Sequence, residues 1–205
     1  MRTKTLFALL CFGLLSLPAH ADISSGNIFG ISYSKQISSG EGEKIIVPNS
    51  LQEMDTFTFR YGRFFTSYLG VEAHLGFSLE TKDEDRSLKN KTDYLGAVFA
   101  RFNLPFHSQN INLYALGGAG MARVSLSGPE SIVAGEVIGG KVSETLWGPA
   151  FGVGIALYAS NKTALNIEWI RYVTDEGQSS GDASYTMDGI SVGIVHHFSF
   201  PKVTF

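Results

Sequence analysis

Ionisable side chains recur at alternate positions along extended stretches of this 205-residue chain. Arg60, Glu72, His74, Asp93, Arg101, Arg123 and Glu168 are interspersed with Gly, Ala and Ser. Such a set could form a proton or ion pathway. It could equally fill an interior, because buried charges persist when they are paired and hydrogen-bonded. A satisfied interior network that includes His74 is the expectation. His197 and Ser199 also share one strand face, the spacing of a base and a nucleophile. Nucleophilic catalysis needs a third group to orient the base, and this pair is expected to pack rather than react. No His/Asp/Glu spacing resembles a metal site. Gly117-Gly118-Ala119-Gly120 lies mid-strand with no following helix, so it is not a phosphate cradle. No catalytic residue and no cofactor is expected.

The opening residues read as a processing signal. Arg2 and Lys4 precede an apolar run from Leu6 to Leu17, and Ala19-His20-Ala21 has the small-residue spacing of a cleavage site. The run is shorter than the ~20 residues of a spanning helix. Residues 1–21 are therefore expected to be removed, leaving 22–205 as one domain. Cys11 is the only cysteine and lies in that signal. Disulfides, thiolate zinc sites and cysteine nucleophiles are thereby excluded from the remainder. Without Arg2 and Lys4 the chain carries 14 basic against 19 acidic residues. With no concentrated positive field, nucleic acid is not an expected partner.

The segments that carry these side chains alternate with period two, the strand signal. Eight are expected: Asn27–Lys35, Thr56–Arg63, Tyr68–Glu80, Thr92–Leu104, Ile111–Leu126, Thr145–Tyr158, Thr163–Val173 and Ser184–Phe200. In the third, Leu69, Val71, Ala73, Leu75 and Phe77 oppose Gly70, Glu72, His74 and Gly76. In the fifth, Tyr114, Leu116, Ala122 and Val124 are read as the apolar face, opposite Ala115, Gly117, Ala119 and Arg123. Arg171 breaks the pattern of the seventh and suggests a bulge or rim position.

The connections alternate between short and long. Phe65–Ser67, Pro105–Asn110 and Ala159–Lys162 are short. Gln36–Glu53, Thr81–Lys91, Ser127–Glu144 and Asp175–Ala183 are long and polar. In an up-and-down meander all the long loops fall at one end, the asymmetry of outer-membrane barrels. Charges on the polar face would cost roughly 2–4 kcal/mol each if turned toward lipid. The expected fold is thus all-β, an eight-stranded antiparallel up-and-down transmembrane β-barrel with its apolar face outward. Phe64, Phe65, Tyr68, Phe102 and Phe198 near the short turns, and Trp147, Trp169 and Tyr172 toward the long loops, are expected to form aromatic girdles.

Tyr94-Leu95-Gly96-Ala97, Tyr114 with Gly117-Gly118-Ala119-Gly120-Met121-Ala122-Arg123, Phe151-Gly152-Val153-Gly154 and Ser191-Val192-Gly193-Ile194 with His197-Phe198 resemble the small porin-like outer-membrane β-barrels. That family includes the membrane domain of outer-membrane protein A and the opacity-type adhesins. The resemblance covers nearly all of residues 22–205. It implies a Gram-negative outer membrane and insertion by the barrel-assembly machinery through a C-terminal aromatic signal, matched in spacing by Ile190, Val192, Ile194, His196 and Phe198. The chain departs by continuing through Pro201 to Phe205. Lipid A deacylases of that membrane use a His and a Ser spaced like His197 and Ser199, with an acidic partner. The overall expectation is a monomeric, non-enzymatic envelope protein with periplasmic termini. Its partners would be outer-membrane lipid, lipopolysaccharide and an extracellular ligand held by the long loops. A narrow low-conductance channel is the alternative, and a lipid-modifying enzyme a third.

Overall fold

The computed structural model describes residues 26–41, 52–78, 81–82, 89–104, 110–133, 136–176 and 184–198. They form β1 (Gly26–Glu41), β2 (Gln52–Phe64), β3 (Leu69–Ser78), β4 (Thr81–Lys82), β5 (Lys89–Asn103), β6 (Ile111–Val133), β7 (Glu136–Tyr158), β8 (Thr163–Glu176) and β9 (Ser184–Phe198). The two-residue β4 continues β3 along the same neighbour, β5. With β3 and β4 taken as one interrupted strand along β5, each strand pairs antiparallel with the next, β1 pairs with β9, and the circle closes. The architecture is an eight-stranded antiparallel barrel.

Two of the short connections are tight turns held by a hydroxyl. Thr66 Oγ1 accepts hydrogen bonds from the amides of Tyr68 (3.2 Å) and Leu69 (3.0 Å). Ser160 Oγ repeats the arrangement with Lys162 (3.3 Å) and Thr163 (3.1 Å). In both turns the hydroxyl satisfies amides that the ladder has released. The long connections begin beyond the strand ends that the alternation marks, since β1 runs on to Glu41 and β2 starts at Gln52. Ser127–Glu144, expected as a loop, is a correction. Val133 pairs with Glu136 and Ser127 with Lys141, so β6 and β7 form one long ribbon.

Side chains alternate between lumen and outer surface. Leu75 (66% exposed), Val98, Ile190 and Phe59 point out, whereas Thr58, Glu72, His74 and Ser191 are buried within. On three strands the outward apolar run ends in polar residues eight positions apart: Asp55 and Arg63 on β2, Thr163 and Arg171 on β8, Asp188 and His196 on β9. Eight steps at ~3.3 Å cover about 26 Å along a strand, or about 20 Å of height at a tilt of ~40°. That is close to the ~25 Å apolar band of a barrel in lipid.

The fifth expected strand is phased the other way. Tyr114, Leu116, Ala122 and Val124 of β6 are buried in the lumen, and Arg123 faces out. The expectation equated small and polar with inside. On this side the lumen is instead filled by hydrocarbon from Leu95, Phe99, Leu116 and Leu146, because eight strands leave an interior that side chains must fill.

One stretch of wall is doubled. The β7–β8 ladder ends at Phe151↔Arg171. Pro149 lies just beyond and has no amide to offer the ladder. The β8–β9 register shifts between Arg171 and Val173, at the position where the alternation broke. Tyr172 and Val173 are both buried. Gly120 and Gly148 are cross-strand partners on β6 and β7. A Cβ on Gly120 would fall on the carbonyl oxygen of Tyr172, and one on Gly148 on that of Thr174. The outer part of β8 therefore passes against the inner face of the β6–β7 ribbon, and this approach requires glycine at both positions.

Candidate functional site

The buried charges meet at mid-lumen. Arg60 on β2 donates from Nη2 to Glu72 Oε2 on β3 at 2.6 Å, and its Nη1 lies 2.6 Å from Glu168 Oε1 on β8. The second contact crosses the barrel. Arg101 on β5 donates from Nη1 to Glu72 Oε1 at 2.6 Å and from Nε to Asn103 at 2.9 Å. Asn103 in turn donates to the Ser67 carbonyl of the first turn at 2.9 Å. Two guanidinium and two carboxylate groups thus form one compensated cluster of strong, charge-assisted bonds.

Neutral groups surround the cluster, and among the described residues Arg60 Nε and Asn166 Oδ1 make no hydrogen bond. Tyr114 donates to Glu168 Oε1, Ser191 donates to Oε2 at 3.0 Å, and Asn166 donates to the Tyr114 oxygen at 3.0 Å. His74 Nε2 lies 3.2 Å from Glu72 and Nδ1 3.3 Å from the Tyr172 hydroxyl. The guanidinium carbon of Arg101 sits 3.5 Å from the Tyr114 ring centroid, a cation–π contact strengthened by burial. Room for the cluster comes from Gly154, where a Cβ would lie 2.5 Å from the Tyr114 ring and 2.8 Å from Glu168 Cγ.

Arg60, Glu72, His74, Arg101 and Glu168 of the expected network are brought together, each no more than 2% exposed. Asp93 and Arg123 are not among them. Asp93 is the extra residue of a β5 bulge between Thr92 and Tyr94. It accepts from Ser125 and lies 4.0 Å from Arg123 Nε on the outer surface. With Lys35–Glu53, Tyr33–Asp55 and Arg171–Asp188 this pair joins a set of outward-facing polar contacts toward the long loops. Charges are admissible there because the apolar band has ended.

Of the expected girdle, Phe65, Tyr68, Phe102, Trp147 and Trp169 are exposed on the outer surface, and Phe198 is half-buried. Phe64 is a correction. It is 1% exposed, inside the lumen, its ring 5.8 Å from that of His197. Tyr172 is likewise internal. Adjacent residues in a strand face opposite ways, so Phe64 and Phe65 cannot both reach lipid. His197 also lies 3.3 Å from the Tyr158 hydroxyl. Ser199 falls outside the described residues. Tyr114, Asn166, Tyr172 and Ser191 escaped the sequence-based expectation of the site. Asn166 and Ser191 share strand parity with Glu168 and Val195, the one signal that could have found them. Among the described residues no group of three or more His, Cys, Asp or Glu could hold a metal.

Comparison with known proteins accords with this geometry. The barrel superposes on Ail, the attachment invasion locus protein of Yersinia pestis, with a TM-score of 0.53 and 15% identity over 84% of this chain and 99% of that one. Ail has also been solved with the heparin analogue sucrose octasulfate. Neisserial surface protein A gives a TM-score of 0.60 at 12% identity over 85% and 99% of the two chains. The outer membrane protein OprG of Pseudomonas aeruginosa gives 0.54 at 9% over 89% and 100%. At these identities the likeness is one of fold. A search of curated protein sequences finds no match. The family model for the outer membrane protein beta-barrel domain matches residues 7–198, and the chain belongs to that family.

Proposed function

We propose that this chain is a non-enzymatic outer-membrane barrel whose lumen is plugged and whose work is done at its surface. The observation that carries this reading is the Arg60–Glu168 contact across the lumen, embedded in a fully buried and compensated cluster. A permanent ion or proton path would need hydrated, partly unpaired groups, since a conducting site must hold its ion weakly enough to release it. The glycine-seated passage of β8 under β6–β7 narrows the lumen further. In this reading the long connections face outward, both termini are periplasmic, and the barrel-assembly machinery inserts a monomer. The outward polar contacts meet lipopolysaccharide, and the loops are free to take an extracellular ligand. The complex of Ail with a heparin analogue supports the last point as a capacity of this barrel type. Planar-bilayer recording tests the plug. The intact protein should give no sustained conductance. A sustained conductance abolished by Glu72→Ala or Arg101→Ala would establish a channel instead.

A further inference from the structure

Among the described residues, one sheet edge of the barrel has no partner. The β7–β8 ladder stops at Phe151↔Arg171, and β8 beyond it pairs only with β9. β7 runs on as far as Glu136, paired on its other side with β6. The direction of its backbone groups is set at the short-turn end. The Tyr158 amide donates to the Asn110 carbonyl, before β6, at 2.8 Å, and the Ala159 amide donates to the Thr163 carbonyl of β8 at 3.0 Å. In an antiparallel ladder the N–H and C=O of one residue point the same way, and that direction alternates along the strand. Even-numbered residues of β7 therefore bond β6, and odd-numbered ones face the open side. Pro149 fits this phase, because it is the odd-numbered position just past the end of the β8 ladder and has no amide to give.

Val137, Gly139, Lys141, Ser143 and Thr145 each present an amide and a carbonyl along about 27 Å of open edge. Thr145 pairs with Arg123, whose charge lies beyond the apolar band. The edge thus stands in water, and an unpaired edge is not tolerated in hydrocarbon. It offers backbone hydrogen bonds at ladder spacing, and the ligand that matches this spacing is an extended peptide. A second copy of the chain does not match. Copies in one membrane run β7 in the same direction, and the twofold axis relating them sets each residue opposite itself, amide against amide. Charge selects the peptide further. The four spans at this end of the barrel, 35–55, 78–93, 123–145 and 171–188, carry 16 acidic against 9 basic residues, a net charge of −7. The last of them, which holds the outer end of β8 beside β7, has Asp175, Glu176, Asp182 and Asp188 against Arg171 alone.

We propose that the open edge of β7 takes one extended, basic peptide segment of another protein by antiparallel strand addition. The edge supplies the backbone bonds, and the acidic surroundings favour a cationic strand over an anionic one. A sulfated polyanion is opposed by the same field. The inference deepens the surface-binding reading and rests on the long connections facing outward, but not on the lumen being plugged. A conducting barrel that bound the peptide would refute the plug alone.

The probe is a fluorescent nine-residue peptide of alternating lysine and valine, titrated onto the protein in phosphatidylcholine nanodiscs and read by anisotropy against empty discs. Saturable binding of one peptide per chain is expected. In hydrogen exchange the amides of Gly139, Lys141, Ser143 and Thr145 should gain protection, while those of Val142 and Glu144, bonded to β6, stay unchanged. The same peptide N-methylated throughout keeps its charge but loses its donors, and should bind at least about tenfold more weakly. A glutamate–valine twin should be weaker by a similar factor. Thr145→Pro removes one edge-directed amide and spares the β6 ladder, so it should weaken binding about fivefold. Heat-dependent gel mobility confirms that the variant is folded, and Gly139→Pro replaces it if it is not. Equal binding of the methylated or the glutamate peptide, heparin bound in place of the basic peptide, no binding at all, protection of the odd-numbered amides before peptide is added, or a dimer in its absence would overturn the proposal.

Discussion

Replacing Arg60 by Leu removes the one cation that touches both Glu72 and Glu168. Glu72 keeps Arg101 as a counter-charge at 2.6 Å. Among the described residues Glu168 keeps only the hydroxyls of Tyr114 and Ser191 and becomes a buried charge without a cationic partner. Stripping one member from a buried pair costs about 3–5 kcal/mol, while replacing both by apolar groups is often close to neutral. The double variant Arg60→Leu/Glu168→Leu should therefore be more stable than Arg60→Leu alone, although it carries one more substitution. With an urea dependence of about 2 kcal/mol per molar, a loss of 4 kcal/mol lowers the unfolding midpoint by about 2 M. Urea titration in lipid vesicles, read by tryptophan fluorescence and heat-dependent gel mobility, measures both variants. A midpoint shift below about 0.5 M for Arg60→Leu, or a double variant weaker than the wild type by the sum of the two single losses, would refute the reasoning.

Other substitutions probe other levels of the structure. Gly154→Ala sets a methyl 2.5 Å from the Tyr114 ring and should cost about 1–3 kcal/mol by overpacking, seen as a lower urea midpoint. Gly148→Ala places a methyl on the Thr174 carbonyl, where backbone must yield. Amide exchange over Tyr172–Glu176 should accelerate, while the β1–β2 amides keep their protection. Leu75→Arg puts a charge on the most exposed apolar position of the outer surface and should cost about 2–4 kcal/mol at the membrane midplane. The same measurement on Arg123→Leu, beyond the band, should show a change below about 1 kcal/mol.

Much of this architecture was legible because period-two alternation survives in most strands. β3 reads cleanly, as Leu69, Val71, Leu75 and Phe77 point out and Glu72 and His74 point in. Five of the seven network residues follow from that parity. The failures have a common physical origin. A narrow barrel has an interior as crowded as a soluble core, so Tyr114, Leu116 and Val124 belong inside and small Ala115 and Gly117 can face lipid. Composition then no longer tells the two faces of β6 apart, and Arg123 is carried to the wrong side with it. Phe64 failed for a related reason, since an aromatic beside a turn can pack on His197 as readily as it can reach a membrane interface. The β8 crossing was half-visible. Arg171 marked the break, but that Gly120 and Gly148 receive the strand requires knowing which residues face each other across β6 and β7.

The outward apolar face of the barrel lies against acyl chains, and its lumen is shielded from them. Single cysteines can be placed in the chain lacking residues 1–21, which has no thiol of its own, and spin-labelled in bilayers. Labels at Leu75, Val98 and Ile190 should collide freely with oxygen and hardly at all with a water-soluble nickel chelate. Labels at Ser32, Ala97 and Ser191 should be shielded from both. Nickel access at the first three sites, with oxygen access at the second three, would contradict the account.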